Sequence, residues 1–101
     1  MAYILEIATS DFESTKNAVA GGADRIELCA NLGEGGTTQS FGVIKKCREQ
    51  FPSTLIYPII RVRGGDFFYT DEEYDCMYQD ALQCKELQCD GVVVGFLKRD
   101  G

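Results

Sequence analysis

Four short runs rich in aliphatic and β-branched residues punctuate the chain: Tyr3 to Ala8 (YILEIA), Arg25 to Ala30 (RIELCA), Leu55 to Arg61 (LIYPIIR) and Gly91 to Phe96 (GVVVGF). Each is separated from the next by a segment able to form a helix, so the pattern predicts βαβαβαβ with parallel strands. Helix starts are marked by Ser10 with Glu13 and by Thr70 with Glu73, two spacings at which a hydroxyl and a carboxylate satisfy orphan amides reciprocally. Gly21 and Gly22 supply a stop for the first helix. The second is predicted to start near Ser40, to bury Val43, Ile44 and Cys47, and to end before Pro52. The third buries Met77, Ala81, Cys84 and Leu87 at helical spacing.

Parallel strands with intervening helices form either an open sheet or a closed barrel, and polar residues inside the strands discriminate. In the second strand Ile26 and Leu28 share one face, while Arg25, Glu27 and Cys29 share the other. A face bearing Arg25 and Glu27, with Glu6 in the first strand and Arg61 in the third, suits a barrel interior in which charges compensate. A sheet covered by helices on both sides is usually apolar on both. The first turn, Thr9-Ser10-Asp11, also lacks the glycine-rich dinucleotide fingerprint. The fold predicted is therefore α/β, a TIM-type parallel β/α barrel. Such a barrel takes about 250 residues, so four strands and three helices over 1–101 amount to its first half.

Composition narrows the function classes. Ten basic against sixteen acidic residues give a net charge of −6, which argues against nucleic acid as a partner. No apolar run approaches the roughly 20 residues of a membrane span, and no basic-then-apolar leader opens the chain, so a cytoplasmic protein is expected. The five cysteines, Cys29, Cys47, Cys76, Cys84 and Cys89, are odd in number and irregularly spaced, and read as reduced thiols. Histidine is absent, which leaves carboxylates, arginines, tyrosines and thiols for any chemistry.

Barrel active sites lie on the loops that follow the strands. Here those loops are Glu34-Gly35-Gly36-Thr37-Thr38 and Arg61-Val62-Arg63-Gly64-Gly65-Asp66-Phe67. Glycine pairs let backbone amides approach a ligand, and arginines offer planar donor forks. One reading is an anion site built from Arg61, Arg63 and the amides of Gly35, Gly36, Gly64 and Gly65. The other is structural: glycines for tight turns, and Arg61 paired with Glu6 or Glu27 beside Arg25 in the barrel interior. Glu6 and Glu27 are also candidate general acid and base.

Three motifs carry a resemblance: DRIELCA at 24–30, EGGTT at 34–38 and R-x-RGGDF at 61–67 are similar to the CutC family of copper homeostasis proteins. The match is collinear and includes Gly21, Gly22 and Ala23 before the second strand and Asp90, Gly91 and Val92 at the fourth. The resemblance implies a TIM barrel, cytoplasmic copper handling and roughly another half barrel of sequence. Ala8, Gln39 and Val62 depart from it, standing where the family often has cysteine, proline and proline. Copper(I) favours soft ligands, at least two of them converging. Cys29 is the candidate ligand because it shares the inward face of its strand. Cys47, Cys76 and Cys84 fall on helices, where a thiol is more often core. Three function classes follow: copper binding by resemblance, an enzyme acting on a small anionic metabolite, and a half-barrel scaffold that works through self-association or with the remainder of the barrel.

Overall fold

A computed structural model describes residues 3–97. The elements run β1 (Glu6–Thr9), α1 (Phe12–Ala20), β2 (Arg25–Leu28), a 3-10 turn (Leu32–Glu34), α2 (Phe41–Gln50), β3 (Leu55–Pro58) and α3 (Asp71–Glu86). The strands form one parallel sheet in the order β1-β2-β3. Glu6 is in register with Arg25, and Glu27 lies between Ala8 and Tyr57.

The sheet is open and parallel, as expected, but has three regular strands among the described residues where four were expected. The fourth run contributes only a parallel bridge between Ile59 and Val93. Val93 accepts from the Ile60 amide at 2.8 Å and donates to the Pro58 carbonyl at 2.9 Å. A strand becomes regular when pairing continues on successive residues, and here it does not. The amino-terminal run is also shorter than predicted. Its Leu5 amide is held by the Asp24 carboxylate at 2.8 Å, a side chain where a ladder partner would otherwise stand.

Capping explains the helix boundaries. The first box is one residue later than predicted: Asp11 accepts from the Ser14 amide at 2.7 Å, and the Ser14 hydroxyl faces the Asp11 amide. An ionised acceptor makes the stronger bond to a backbone amide, so Asp11 takes the cap from Ser10. The predicted Ser40 and Thr70 caps form, the latter as a complete box with Glu73.

Strand alternation sorts the residues by face. Ile26, Leu28, Ile56 and Ile60 point toward the helices and pack with Ala18, Ile44, Cys47, Met77 and Cys84 into one core. The opposite face carries Glu6, Arg25, Glu27, Cys29, Tyr57, Ile59 and Arg61, and above its carboxyl-terminal edge the two glycine loops meet.

Candidate functional site

The loop after β2 is a closed turn. Ala30 and Thr37 exchange two backbone hydrogen bonds of 2.8 Å, and Asn31, Gly35 and Gly36 between them all adopt positive φ. Glycine is required at Gly36, where a Cβ would stand 3.1 Å from Ile59 Cδ1 and 3.3 Å from Cys29 Cβ. The amides of Gly35 and Gly36 donate to the carbonyls of Leu32 and Asn31. These two donors therefore close the turn instead of facing a ligand.

Arg61 is the residue on which both loops converge. Nη1 donates to the carbonyls of Glu34 (2.7 Å) and Gly36 (3.0 Å), and Nη2 to that of Gly65 (2.8 Å). Its backbone is fixed as well, the amide donating to Thr38 Oγ1 at 2.8 Å. The guanidinium lies 4.8 Å from the centroid of Phe67. The expected pairing of Arg61 with Glu6 or Glu27 is not made; Arg25 binds Glu6 instead, Nε to Oε2 at 2.5 Å, while stacking 5.3 Å from Tyr57. The cause is register, since Glu6 and Arg25 are direct cross-strand neighbours and Arg61 lies beyond the end of β3. Arg61 is only 8% exposed, and among the described residues it has no carboxylate partner and its Nε has no acceptor.

Arg63 turns the other way. Nε and Nη2 reach Glu73 at 2.6 and 3.3 Å, and the remaining donors bind the Gly64, Asp66 and Phe68 carbonyls and the Asp66 carboxylate. The ion pair with Glu73 holds Arg63 above its ordinary value and Glu73 below its own. With its donors occupied, Arg63 anchors the second loop to α3. Gly64 has a different neighbour: a Cβ there would be 2.9 Å from Glu34 Oε2, a carboxylate that disfavours an anion at that amide. Gly65 offers its carbonyl to Arg61, and its φ of 91° suits glycine.

A cavity of about 270 Å³ opens beside Arg61, lined also by Glu27, Gly36, Ile59, Phe67 and Val94. Glu27 is thus brought beside the cation; Glu6, held by Arg25, does not line this cavity. Phe67 and the Val93–Gly95 segment escaped the sequence reading as site residues, although Phe67 ends the RGGDF motif. Gln39 was noted only as a departure, yet its Nε2 donates to the carbonyls of Ser10 and Cys29, both at 2.8 Å, joining the loops after β1 and β2.

Cys29 is fully buried, with Sγ 3.5 Å from the Thr9 carbonyl. Burial, and then the nearby Glu27 charge, raise its thiol above the ordinary value, which opposes the thiolate a soft metal requires. Among the described residues no group of three or more histidine, cysteine, aspartate or glutamate side chains is placed to hold a metal ion. Among the described residues the donor set around Cys29 is incomplete for copper(I), which favours at least two soft ligands. No helix among the described residues is long and apolar enough to cross a membrane.

Comparison with known proteins supplies what this geometry leaves open. The family model for the CutC family matches residues 3–101. The family protein CutC of Parabacteroides distasonis is 48% identical over 101 residues, covering 100% of this chain and 42% of that protein. The CutC protein of Salmonella newport is 49% identical over 98 residues, covering 97% and 39%. A crystal structure from Streptococcus agalactiae, of a CutC named for copper homeostasis, superposes with a TM-score of 0.91 at 34% identity, covering 98% of this chain and 48% of that one. The chain thus spans about two fifths of the length of these curated relatives. With motifs, sheet and loops all accounted for, the chain belongs to the CutC family.

Proposed function

We propose that residues 1–101 are the amino-terminal half of a closed parallel β/α barrel, and that its carboxyl-terminal face binds a small anionic ligand through Arg61. The observation that carries this reading is a buried guanidinium with, among the described residues, no carboxylate partner and an orphan Nε, beside a cavity that it lines. A buried charge matched only by carbonyl dipoles is costly, and a ligand carboxylate or phosphate is the counterpart it lacks. Glu27, on the same cavity, is the candidate general base or acid if the ligand is turned over. Glu6 is the weaker candidate because Arg25 holds its carboxylate. The barrel reading draws support from the 0.91 TM-score to a chain about twice as long.

The experiment is calorimetric titration of the longest expressible form with inorganic phosphate and with malonate. The wild type should bind one of them. Arg61→Gln should weaken that binding roughly tenfold or more, the loss of one charge-assisted bond, and Glu27→Gln should tighten it by removing a like charge. Absence of binding by the wild type, or binding indifferent to both changes, rejects the site.

A second reading, cytosolic copper homeostasis, is favoured by the name of the Streptococcus agalactiae relative. Cys29 is its candidate ligand because it lies on the inner face of the sheet, although a second soft donor would have to come from elsewhere. Anaerobic copper(I) titration of wild type and Cys29→Ser tests it: stoichiometric binding lost in the variant supports the reading, and no binding by the wild type removes it.

A further inference from the structure

Helix α3 ends in a geometry that brings two thiols together. Gln88 adopts φ 62°, in the left-handed region, and the chain then folds back. The amides of Leu87, Gln88 and Cys89 donate to the carbonyls of Gln83, Lys85 and Cys84 at 3.0, 3.0 and 3.1 Å. A six-to-one bond closing over a left-handed residue is the Schellman arrangement, which sets the residue after the left-handed position against a side chain of the last helical turn, usually as an apolar contact. Here both positions are cysteine: the Cys89 amide closes on the Cys84 carbonyl, and the two side chains line one pocket.

The two thiols are not equivalent. Cys84 is buried and Cys89 part-exposed, and both line a surface pocket of about 250 Å³ with Ala81, Lys85, Gly91 and Val92. The neighbouring Cys89 thiol and then burial push the Cys84 thiol above its ordinary range, while Cys84 and Arg48 draw Cys89 down. Cys89 is also the more exposed of the two, so a solute reaches its sulfur first and Cys84 is left to resolve it. The other cysteines lack this combination. Cys29 and Cys47 are fully buried with raised thiols, and Cys76 is exposed on α3.

We propose that Cys84 and Cys89 form a peroxide-responsive dithiol, in which Cys89 is oxidised by a hydroperoxide and Cys84 resolves it to an intramolecular disulfide. In the first step the Cys89 sulfur attacks the terminal peroxide oxygen, the O–O bond breaks, and the alkoxide or hydroxide leaves protonated as alcohol or water. In the second, the Cys84 sulfur attacks the Cys89 sulfenic sulfur, the S–O bond breaks, and the departing hydroxide takes the Cys84 proton as water. Two electrons pass from the dithiol to the peroxide, which is the whole balance. The reaction needs no ligand in the Arg61 cavity and is independent of the function proposed there.

The test exposes the folded chain to a small excess of hydrogen peroxide, alkylates the remaining thiols, and maps the products by mass spectrometry. Trypsin cuts after Lys85 and so separates the two cysteines, which makes a disulfide visible as two joined peptides; fragmentation distinguishes Cys84 from Cys76. Free thiols should fall from five by two, dithiothreitol should restore them, and Cys84→Ala should leave a dimedone-reactive sulfenic acid at Cys89. Retention of all the thiols, a disulfide to any other cysteine, or irreversible oxidation of Cys89 with Cys84 still free each overturns the proposal. Because the wild-type map alone decides this, it stands or falls even if the Cys84 variant fails to fold.

Discussion

The Arg61 guanidinium donates to the Glu34 carbonyl at 2.7 Å, binding the loop after β2 to the end of β3 across 27 residues of chain. Together with its bonds to Gly36 and Gly65, this makes one side chain the fastener of both glycine loops. Arg61→Ala should cost roughly 2 to 4 kcal/mol, since it leaves buried carbonyls without donors. Arg61→Lys, with one ammonium in place of a fork, should recover only part of it. Urea unfolding of the two variants checks the order; equal stability of Arg61→Ala and wild type would remove Arg61 from this role.

Gly36 and Gly33 offer a matched comparison. At Gly36 an alanine meets both a left-handed φ of 95° and close contacts with Ile59 and Cys29, whereas at Gly33 nothing lies within 4 Å of the added carbon. Gly36→Ala should destabilise by about 1 to 3 kcal/mol through strain and overpacking, and Gly33→Ala should be close to neutral. The check is the difference in denaturant midpoint between the two.

The Arg63–Glu73 pair predicts an acid-side dependence. Glu73 is held below its ordinary 4.5, first by the Arg63 hydrogen bonds and then by the Thr70 amide. A depressed folded-state value means that this contribution is fully present above the unfolded value and is lost as the pH falls through the folded one. The stability difference between wild type and Glu73→Gln should therefore be largest near about pH 7 and shrink toward about pH 3. A difference that stays constant over that range would mean that the carboxylate charge contributes nothing.

Much of this arrangement was legible in the residues. Period-two alternation placed Glu27, Cys29 and Arg61 on one face of the sheet, and the Ser40 and Thr70 caps were readable because hydroxyl caps have a local signature. What was not legible depended on register and on the backbone. Sequence does not say that Glu6 stands opposite Arg25, so the residues alone leave Glu6 and Glu27 both open as partners of Arg61. Nor does it show carbonyl acceptors, which every residue carries alike, and the three that bind Arg61 could not be told apart from any others. At the first helix, Ser10 and Asp11 are both good caps, and only the geometry of the turn selects the carboxylate.

Several apolar side chains at the sheet margins are left bare: Tyr3 is 84% exposed, Ile4 62% and Phe96 56%. Margins of this kind recruit other strands. We expect the 101-residue chain to associate in a concentration-dependent way, and a form carrying the remaining β/α units to be free of that association. Sedimentation velocity across a dilution series reads both; a monodisperse short chain at every concentration contradicts the expectation.

The strand order β1-β2-β3 has a consequence for how such a molecule is made. Because each strand lies beside its immediate predecessor in the chain, every new β/α unit finds its docking edge already waiting as synthesis proceeds. The search for partners stays local, which favours fast assembly, and folding can keep pace with the ribosome from the amino terminus onward. In such a molecule the hazard lies in the interval between units, when the newest edge is exposed and has only neighbouring chains to pair with.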